Sequence, residues 1–345
     1  MFFNELDARS IKEQVDQAQL WSAWIDADRM RRHSFMGTLD WEERNGRRYL
    51  YRRKGGTVKS FGLFGPETER ARSAFQKGKE ENAERLRVLS GEMDRQAAVL
   101  RAIGAGRIPV MAARILRTFA TQRDRPPARV IGTNALYAFE AMAGVRFDSA
   151  STATGDIDFL IDDRNRMKLV TEEQEPIGLM SMIQKQVDRT FKSRGPRDFR
   201  LTNDKGYMVE FVRPEPRPIY RKMPGAEPLT EGDVEPAPIF GLQWLVHAPA
   251  IDVIVMDERG FPAPMRCPDP RHWAAHKLWL ATREDRDPAK SLRDDKQGRL
   301  VLNLIRDRLP QFPLDEEFLA KLPGELRVMM SGKPPSGADS TSPDW

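Results

Sequence analysis

Cysteine and histidine are scarce in this chain of 345 residues, which has one cysteine, Cys267, and four histidines. A single cysteine cannot form an internal disulfide, and it excludes the Cys-rich zinc and iron–sulfur sites. Because this usage fits a reducing compartment, we expect a cytoplasmic protein. His272 and His276 have the spacing of a zinc pair on a helix, but Trp273 stands where a metalloprotease carries glutamate. We therefore interpret both histidines as packing residues.

Long apolar runs are also lacking, since no stretch of about 18 uncharged apolar residues occurs. The first 18 residues carry acidic and basic side chains where a signal peptide needs a basic start and an apolar run. We expect a protein that neither spans a membrane nor is secreted. Hydrophobic residues make up 40% of the chain and charged residues 31%, which excludes bulk disorder. The net charge of +5 permits an anionic partner without requiring one.

The N-terminal region is predicted to combine helices with a β-hairpin. Apolar residues at helical spacing predict a helix over Asn4–Arg32. Asn45-Gly46 is a strong turn signal, and it predicts a hairpin between Gly37 and Phe64. One face of its second strand would present two tyrosines and two arginines, a combination suited to RNA: Arg47, Tyr49, Tyr51 and Arg53. The alternative is an exposed hairpin whose tyrosines pair across strands.

A long charged helix is predicted over residues 67–103, with one narrow apolar stripe that includes Leu86, Met93 and Leu100. Such a stripe could join two copies of the chain in a coiled coil, forming a homodimer. A helix that packs on its own domain has the same spacing. Both interpretations stay open at this stage.

Strands and helices alternate after the proline-ended linker 121–127, which indicates an α/β fold. The core elements are predicted at Arg129–Ile131, Ala135–Ala143, Asp156–Ile161, Leu179–Phe191 and Tyr207–Val212, and a strand pair and helices follow from 252 to 308. The proline-rich stretch 213–238 is predicted to be an exposed crossing. We divide the chain into an N-terminal region 1–125, a catalytic core 126–240, a C-terminal strand and helical subdomain 241–322 and a flexible tail 323–345.

Three acidic residues lie within predicted core strands. Asp156 and Asp158 are two residues apart on one apolar strand, so both carboxylates lie on the same face, with the two residues about 7 Å apart at the backbone. Glu210 is the single charge inside another core strand, Tyr207–Val212. Because buried like charges are costly unless cations neutralise them, the three predict a cage for divalent metal ions, Mg²⁺ or Mn²⁺. Gly132-Thr133, between a strand and a helix, offers backbone N–H groups and a hydroxyl to a phosphate.

The order of these motifs resembles the nucleotidyltransferase superfamily of the polymerase β type. It is more similar still to a group of bacterial nucleotidyltransferase-fold proteins carrying GTNALYA and TGDID, here residues 132–138 and 154–158. The resemblance implies a mixed sheet with flanking helices, an N-terminal helical and hairpin region and C-terminal helices. The gap from Thr133 to Asp156 is longer than usual in the superfamily, and we interpret 143–153 as an insertion.

The resemblance also implies roles for individual residues. Gly132, Thr133 and Thr154 would bind the nucleotide. Asp156, Asp158 and Glu210 would be both the catalytic residues and the metal ligands, and Glu210 would help to deprotonate the acceptor. A downstream helix similar to those of related proteins would bring two basic side chains to the nucleotide, Lys277 and Arg283.

We therefore expect a magnesium-dependent enzyme that transfers NMP from an NTP, with ATP or CTP favoured, to an acceptor hydroxyl. An RNA 3′ end is favoured over a protein or a small molecule as the acceptor. The alternative is a catalytically silent module of the same fold that acts through a partner protein or RNA. Three costly buried carboxylates argue against that alternative.

Overall fold

The computed structural model describes residues 3–122, 126–162, 178–195, 198–216 and 233–331. The chain divides into two compact units. One consists of Met1–Ile11, Gly106–Glu258 and Pro262–Trp345, and the other of Lys12–Ala105 and Arg259–Phe261. Parts of the predicted linker, crossing and tail, at 123–125, 217–232 and 332–345, lie outside the described residues.

The first elements in chain order are β1 Phe3–Glu5, α1 Ala8–Met30, a π-helical turn Arg31–Phe35, β2 Thr38–Arg44, β3 Arg47–Lys54, β4 Thr57–Leu63 and α2 Pro66–Ala102. The following elements are α3 Val110–Ala120, β5 Ala128–Val130, α4 Ala135–Ala143, β6 Val145–Phe147, α5 Ser149–Thr152, β7 Asp156–Ile161, α6 Leu179–Gln186, β8 Arg200–Thr202, β9 Met208–Pro214 and β10 Ala237–Ile239. The C-terminal elements are α7 Gln243–His247, β11 Ala250–Met256, β12 Pro262–Pro268, α8 Pro270–Thr282, α9 Pro288–Arg308, α10 Glu316–Ala320 and α11 Gly324–Ser331.

In the unit built from 12–105, the apolar stripe of α2 packs against α1 of the same chain. Met93 and Leu100 are buried. Gln17 on α1 donates a hydrogen bond to the carbonyl of Met93 at 3.1 Å, and the Trp24 indole donates to Ser90 at 3.0 Å. These contacts favour intramolecular packing of the stripe over a seam between two chains.

The predicted hairpin is part of a three-stranded antiparallel sheet in the order β2-β3-β4. Asn45 and Gly46 both have positive φ, 51° and 69°, as the two-residue turn between β2 and β3 requires. Leu50 is fully buried on one face of the sheet. Tyr49 and Tyr51 lie on the opposite face, with ring centroids 6.4 Å apart.

The other unit is built on a mixed sheet with flanking helices, which confirms the predicted fold class. Its strand order is β10-β9-β7-β5, and β8 also pairs with β9. The central pair, β7 and β9, is parallel, and β5 runs antiparallel to β7. Phe159 and Phe211 stack across the central pair at 5.7 Å between centroids. Their burial fixes the register, because a slip by one residue would turn every side chain to the other face.

The predicted insertion 143–153 forms ordered structure. Its strand β6 pairs antiparallel with β1, so that Phe3 lies opposite Phe147. Both phenylalanines are buried. The short helix α5 follows, and the carbonyl of Ser151 accepts a hydrogen bond from Gln297 on α9 at 2.9 Å. This segment therefore joins the start of the chain to α9.

The C-terminal helices show where the predicted tail is wrong. We expected flexible chain from 323, but residues 324–331 form α11, and its Leu326 and Met330 are buried. The Arg306 guanidinium donates to the carbonyl of Met330 at 2.7 Å. The apolar residues of this stretch are few, but their spacing puts them on one face of a helix. Our prediction of a tail used only the overall composition and missed this spacing.

None of the helices within the described ranges has the length and apolar content needed to cross a membrane.

Candidate functional site

A cavity of about 340 Å³ lies at β7, β9 and the helices α8 and α9. Most of the predicted nucleotide and carboxylate residues line it, namely Gly132, Thr133, Thr154, Asp156, Asp158, Glu210 and Lys277. Other charged residues in its wall were not predicted, namely Arg200, Arg286, Lys290, Arg293 and Asp294. All belong to the unit built on the mixed sheet.

Gly132 lies directly over the carboxylate of Asp158. Its φ of +58° belongs to the left-handed region, and a Cβ atom at this position would overlap Oδ2 of Asp158. The N–H of Ile131 also donates to the carbonyl of Asp158 at 3.0 Å. The strand-to-helix turn is thus fixed against β7 by a contact that needs glycine.

The hydroxyl of Thr133 is held by two side chains from α9. It accepts hydrogen bonds from Arg293 at 3.1 Å and from Gln297 at 3.3 Å. Arg293 also donates to the carbonyl of Ala153 at 2.8 Å. Because the hydroxyl accepts both bonds, its own proton stays available for donation.

Asp156 and Asp158 lie on the same face of β7, and their neighbours differ. The Thr154 hydroxyl donates to Oδ1 of Asp156, and Asn134 donates to the Asp156 carbonyl at 2.6 Å. Both side chains are half-buried. Burial, with further contributions from the charges of Asp156 and Glu210, raises the pKa of Asp158 to about 7. The site concentrates negative charge in a place where water screens it poorly.

Glu210 lies opposite Asp158 in the parallel register of β7 and β9, but it is paired with a cation. Arg200 on β8 stands opposite Glu210 on the other side, and its Nε is 2.8 Å from Oε1 of the glutamate. Across the part of the chain that the structure describes, no three acidic, histidine or cysteine side chains are grouped so that they could hold a metal ion. The three predicted carboxylates line one cavity, and Glu210 has Arg200 as its ion-pair partner there.

Lys277 reaches the cavity from α8 and is tied to an aspartate beneath it. Its Nζ lies 2.6 Å from Oδ1 of Asp294, and the Arg286 guanidinium lies 2.7 Å from the other oxygen. Burial lowers the pKa of Lys277, while Asp294 opposes that shift. Lys277 is therefore part of a buried ion network as well as of the cavity wall.

Arg283, predicted to contact the nucleotide, is absent from the cavity wall. It forms an ion pair with Asp285 at 2.6 Å. Its Cζ lies 5.1 Å from the ring centroid of Phe240 and 5.0 Å from that of Trp279. Because α8 ends at Thr282 and Arg283 has extended backbone, the neighbours of Arg283 in the structure are Asp285, Phe240 and Trp279.

The two histidines that we interpreted as packing residues both contact aromatic rings. His272 lies 4.6 Å from Trp244 between centroids, and His276 lies 5.6 Å from Trp279. Burial lowers the pKa of His276 to about 3, so the ring is neutral at physiological pH.

Lys290 and Arg293 line the cavity, although the residue pattern alone did not predict that they would. With Gln297 they follow the spacing i, i+3, i+7, which places all three on one face of α9. A basic residue on such a helix usually faces solvent, so the residue type alone did not indicate a place in the site. The informative feature was Asp287-Pro288, which caps the helix: Asp287 accepts the Lys290 N–H at 3.0 Å and fixes where the face begins.

The four residues predicted to bind RNA lie on β3, in the other unit. The two arginines differ in their surroundings, because Arg53 is ion-paired with Glu42. Glu42 also lies 3.5 Å from Arg44, whose guanidinium covers the ring of Tyr51. One glutamate thus offsets part of the positive charge of this face.

A family model described as nucleotidyltransferase matches residues 111–322, a range that contains the whole cavity wall. No curated protein and no solved structure matches the chain.

Proposed function

The chain belongs to the nucleotidyltransferase family, and on that premise we propose that it transfers a nucleoside monophosphate from an NTP to an acceptor hydroxyl. The observation that carries the proposal is the shared cavity. Asp156 and Asp158 lie on one face of β7, beside Gly132-Thr133 and a basic face of α9. Acidic groups for a metal and basic groups for phosphate thus meet in one place.

The triphosphate is assigned to the turn between β5 and α4. Backbone N–H groups at the start of a helix favour anions, and the Thr133 hydroxyl adds a donor. Arg293, already bonded to Thr133, and Lys290 on the same face of α9 would neutralise phosphate charge. Lys277 would act more weakly, since Asp294 already balances its charge.

Asp156 and Asp158 fit a divalent cation, Mg²⁺ or Mn²⁺. Their oxygens are the ligands that Mg²⁺ prefers. Burial first, and then the charges of Asp156 and Glu210, raise the pKa of Asp158, and a bound cation would offset the cost of its ionised form. When bound, the metal would stabilise the negative charge on the phosphoryl group during its transfer. Because Glu210 is paired with Arg200, we assign the metal to the two aspartates first.

The chemical step is an in-line displacement. The acceptor oxygen forms a bond to the α-phosphorus, the bond from that phosphorus to the bridging oxygen breaks, and pyrophosphate leaves with the electron pair. Glu210 would take the proton of the acceptor hydroxyl on a carboxylate oxygen. Arg200, whose Nε lies 2.8 Å from Oε1, would hold that carboxylate in place.

An RNA 3′ end is the acceptor that we propose. Two adjacent tyrosine rings with a basic neighbour on the same strand, Arg47, form a surface on which bases could stack. Arg53 would contribute less than Arg47 to binding the phosphates of RNA, because Arg53 is already ion-paired with Glu42.

A catalytically silent module is the second candidate, and the Arg200–Glu210 ion pair favours it. An arginine that permanently occupies the third carboxylate would leave the chain able to bind an NTP without turning it over. The two candidates differ in whether nucleotide is consumed.

The deciding experiment incubates the full chain with each labelled NTP, Mg²⁺ or Mn²⁺ and total RNA or protein. Label on a macromolecule, lost in D156N and in D158N but kept in the exposed control D204N, supports the enzyme. Binding of NTP without any transfer or pyrophosphate release supports the silent module. The labelled fraction also identifies the acceptor, and label on protein alone would remove RNA from the proposal.

A further inference from the structure

Two side chains of α9, one helical turn apart, make the same kind of contact. Arg293 donates hydrogen bonds to Oγ1 of Thr133 at 3.1 Å and to the carbonyl of Ala153 at 2.8 Å. Gln297 donates to the same Oγ1 at 3.3 Å and to the carbonyl of Ser151 at 2.9 Å. Each side chain therefore joins the turn between β5 and α4 to the segment that leads into the acidic strand β7.

The two contacts determine what the hydroxyl of Thr133 can do. A hydroxyl has two lone pairs that accept hydrogen bonds and one proton that it donates. The bonds from Arg293 and Gln297 occupy both lone pairs. Toward a further group the hydroxyl can therefore act only as a donor. Because Thr133 lines the cavity, a ligand there would meet a donor at this point.

Gln297 acts on the cavity only through its neighbours. It is 1% exposed, and it is not among the side chains of the cavity wall. The carbonyl of Ser151 fixes the orientation of its amide, because a carbonyl oxygen needs a donor and so faces Nε2 rather than Oε1. The same nitrogen is the one that reaches Thr133. The backbone of one segment thus sets which group Gln297 presents to the hydroxyl.

We propose that Gln297 is a positioning residue that presents the Thr133 hydroxyl as a donor to a phosphate oxygen of the NTP. The inference rests on the proposed function, which puts the triphosphate at this turn. Ionised phosphate oxygens only accept hydrogen bonds, so a fixed donor suits them, whereas a hydroxyl that rotates could also turn its lone pairs toward them. Arg293 adds a positive charge to its bond. Gln297 is neutral and contributes orientation alone.

The test is a double-mutant cycle between Gln297 and Thr133. Calorimetry with Mg²⁺ present measures the affinity of the full chain for ATP and for inorganic tripolyphosphate, which shares the phosphates without the nucleoside. Q297M keeps the length of the side chain without its donor, T133V removes the hydroxyl and T133S keeps it. Q122M is the matched control, since Gln122 is in the same unit, outside the cavity wall, and donates to the carbonyl of Thr118 at 2.8 Å.

We expect T133V to weaken the binding of both ligands at least about tenfold, because a hydrogen bond to a charged oxygen is lost. Q297M should weaken both about fivefold in the wild type and in T133S, since the hydroxyl is then free to rotate. In the T133V background Q297M should change either affinity by less than about twofold, because the group it positions is gone. Q122M should bind both ligands within about twofold of the wild type.

A purely structural role of Gln297 predicts a different result. The bond to the Ser151 carbonyl is lost from Q297M in every background, so Q297M would then weaken binding equally in the wild type and in T133V. That result, or an unchanged affinity in Q297M, would overturn the inference. Melting curves show whether each variant is folded, and Q297L, which also lacks a donor, repeats the cycle if Q297M does not fold.

Failure of this inference is distinguishable from failure of the proposed function. If T133V weakens binding and Q297M has no effect that depends on Thr133, the positioning role is wrong while the phosphate assignment stands. If T133V binds both ligands as tightly as the wild type, the triphosphate lies away from Thr133, and this inference falls with that assignment. If the wild type binds neither ATP nor tripolyphosphate, the proposed function itself fails.

Discussion

Gly132 packs so closely over Asp158 that no side chain fits between them. The phosphate-binding turn and the acidic strand are therefore positioned by one contact. We expect G132A to reduce nucleotide transfer by at least about a hundredfold, because it strains the left-handed backbone and displaces the carboxylate. G155A, in the neighbouring motif with open space around its Cα, is the matched control. Steady-state rates for both variants check this, and near-normal activity of G132A would show that the turn tolerates displacement.

The raised pKa of Asp158 makes stability depend on pH. Because the folded state holds the proton up to about pH 7 and the unfolded chain releases it near pH 4, the free energy of unfolding falls as pH rises between these values. D158N, which cannot ionise, should therefore be more stable than the wild type at pH 8 without metal. Because one pKa unit corresponds to about 1.4 kcal/mol, we expect a difference of a few kcal/mol in the free energy of unfolding.

The difference should shrink toward pH 4, where both side chains are neutral. Melting curves in EDTA at several pH values measure it, and D204N, an exposed carboxylate, is the control. A constant difference across the range would contradict the assignment to Asp158.

Arg293 should bind phosphate through α9. R293Q is expected to raise KM for the NTP about tenfold or more, since it loses a charge-assisted contact and loosens Thr133. R299Q removes an arginine two turns along the same helix that is paired with Asp295 and serves as control. Equal kinetics for R293Q and R299Q would place the phosphates elsewhere.

Two truncations separate α11 from the chain beyond it. A chain ending at Ser331 keeps Leu326 and Met330 in the core, and we expect its melting temperature to match that of the full chain. A chain ending at Leu322 loses both buried residues and should melt several degrees lower, at about 2–5 kcal/mol for a large buried side chain. Thermal melts compare them directly, and equal stability would show that α11 contributes nothing.

The face of β3 should bind RNA through its rings if RNA is the acceptor. Replacing Tyr49 and Tyr51 together by alanine should weaken RNA binding by roughly 1–3 kcal/mol per stacked base, with ATP binding unchanged. R47Q should flatten the salt dependence more than R53Q, because Glu42 already neutralises Arg53. A salt titration of RNA affinity checks both, and unaltered affinity in all three variants would turn the search toward protein or small-molecule acceptors.

The strongly patterned elements were predictable from sequence. Helix α4 and strand β7 have the predicted bounds, because a glycine, a cap or a run of apolar residues marks each end. The three-residue strand β8 carries no such pattern, so Arg200 was missed as the partner of Glu210. Side-chain partners brought together by tertiary folding, such as Arg293 with Thr133, leave no local trace in sequence.

The pairing of Phe3 with Phe147 also determines when the β1–β6 strand pair can form during synthesis of the chain. Strand β1 leaves the ribosome early, yet its partner β6 is made only after the whole stretch 12–105 of the other unit has emerged. Most of the intervening unit is continuous in sequence, so its strands and helices can pair locally, whereas the β1–β6 pair closes across a long loop. Phe3 therefore gains its partner Phe147 only after about 140 further residues have been synthesised, and a slow step in forming this pair is the expected kinetic consequence.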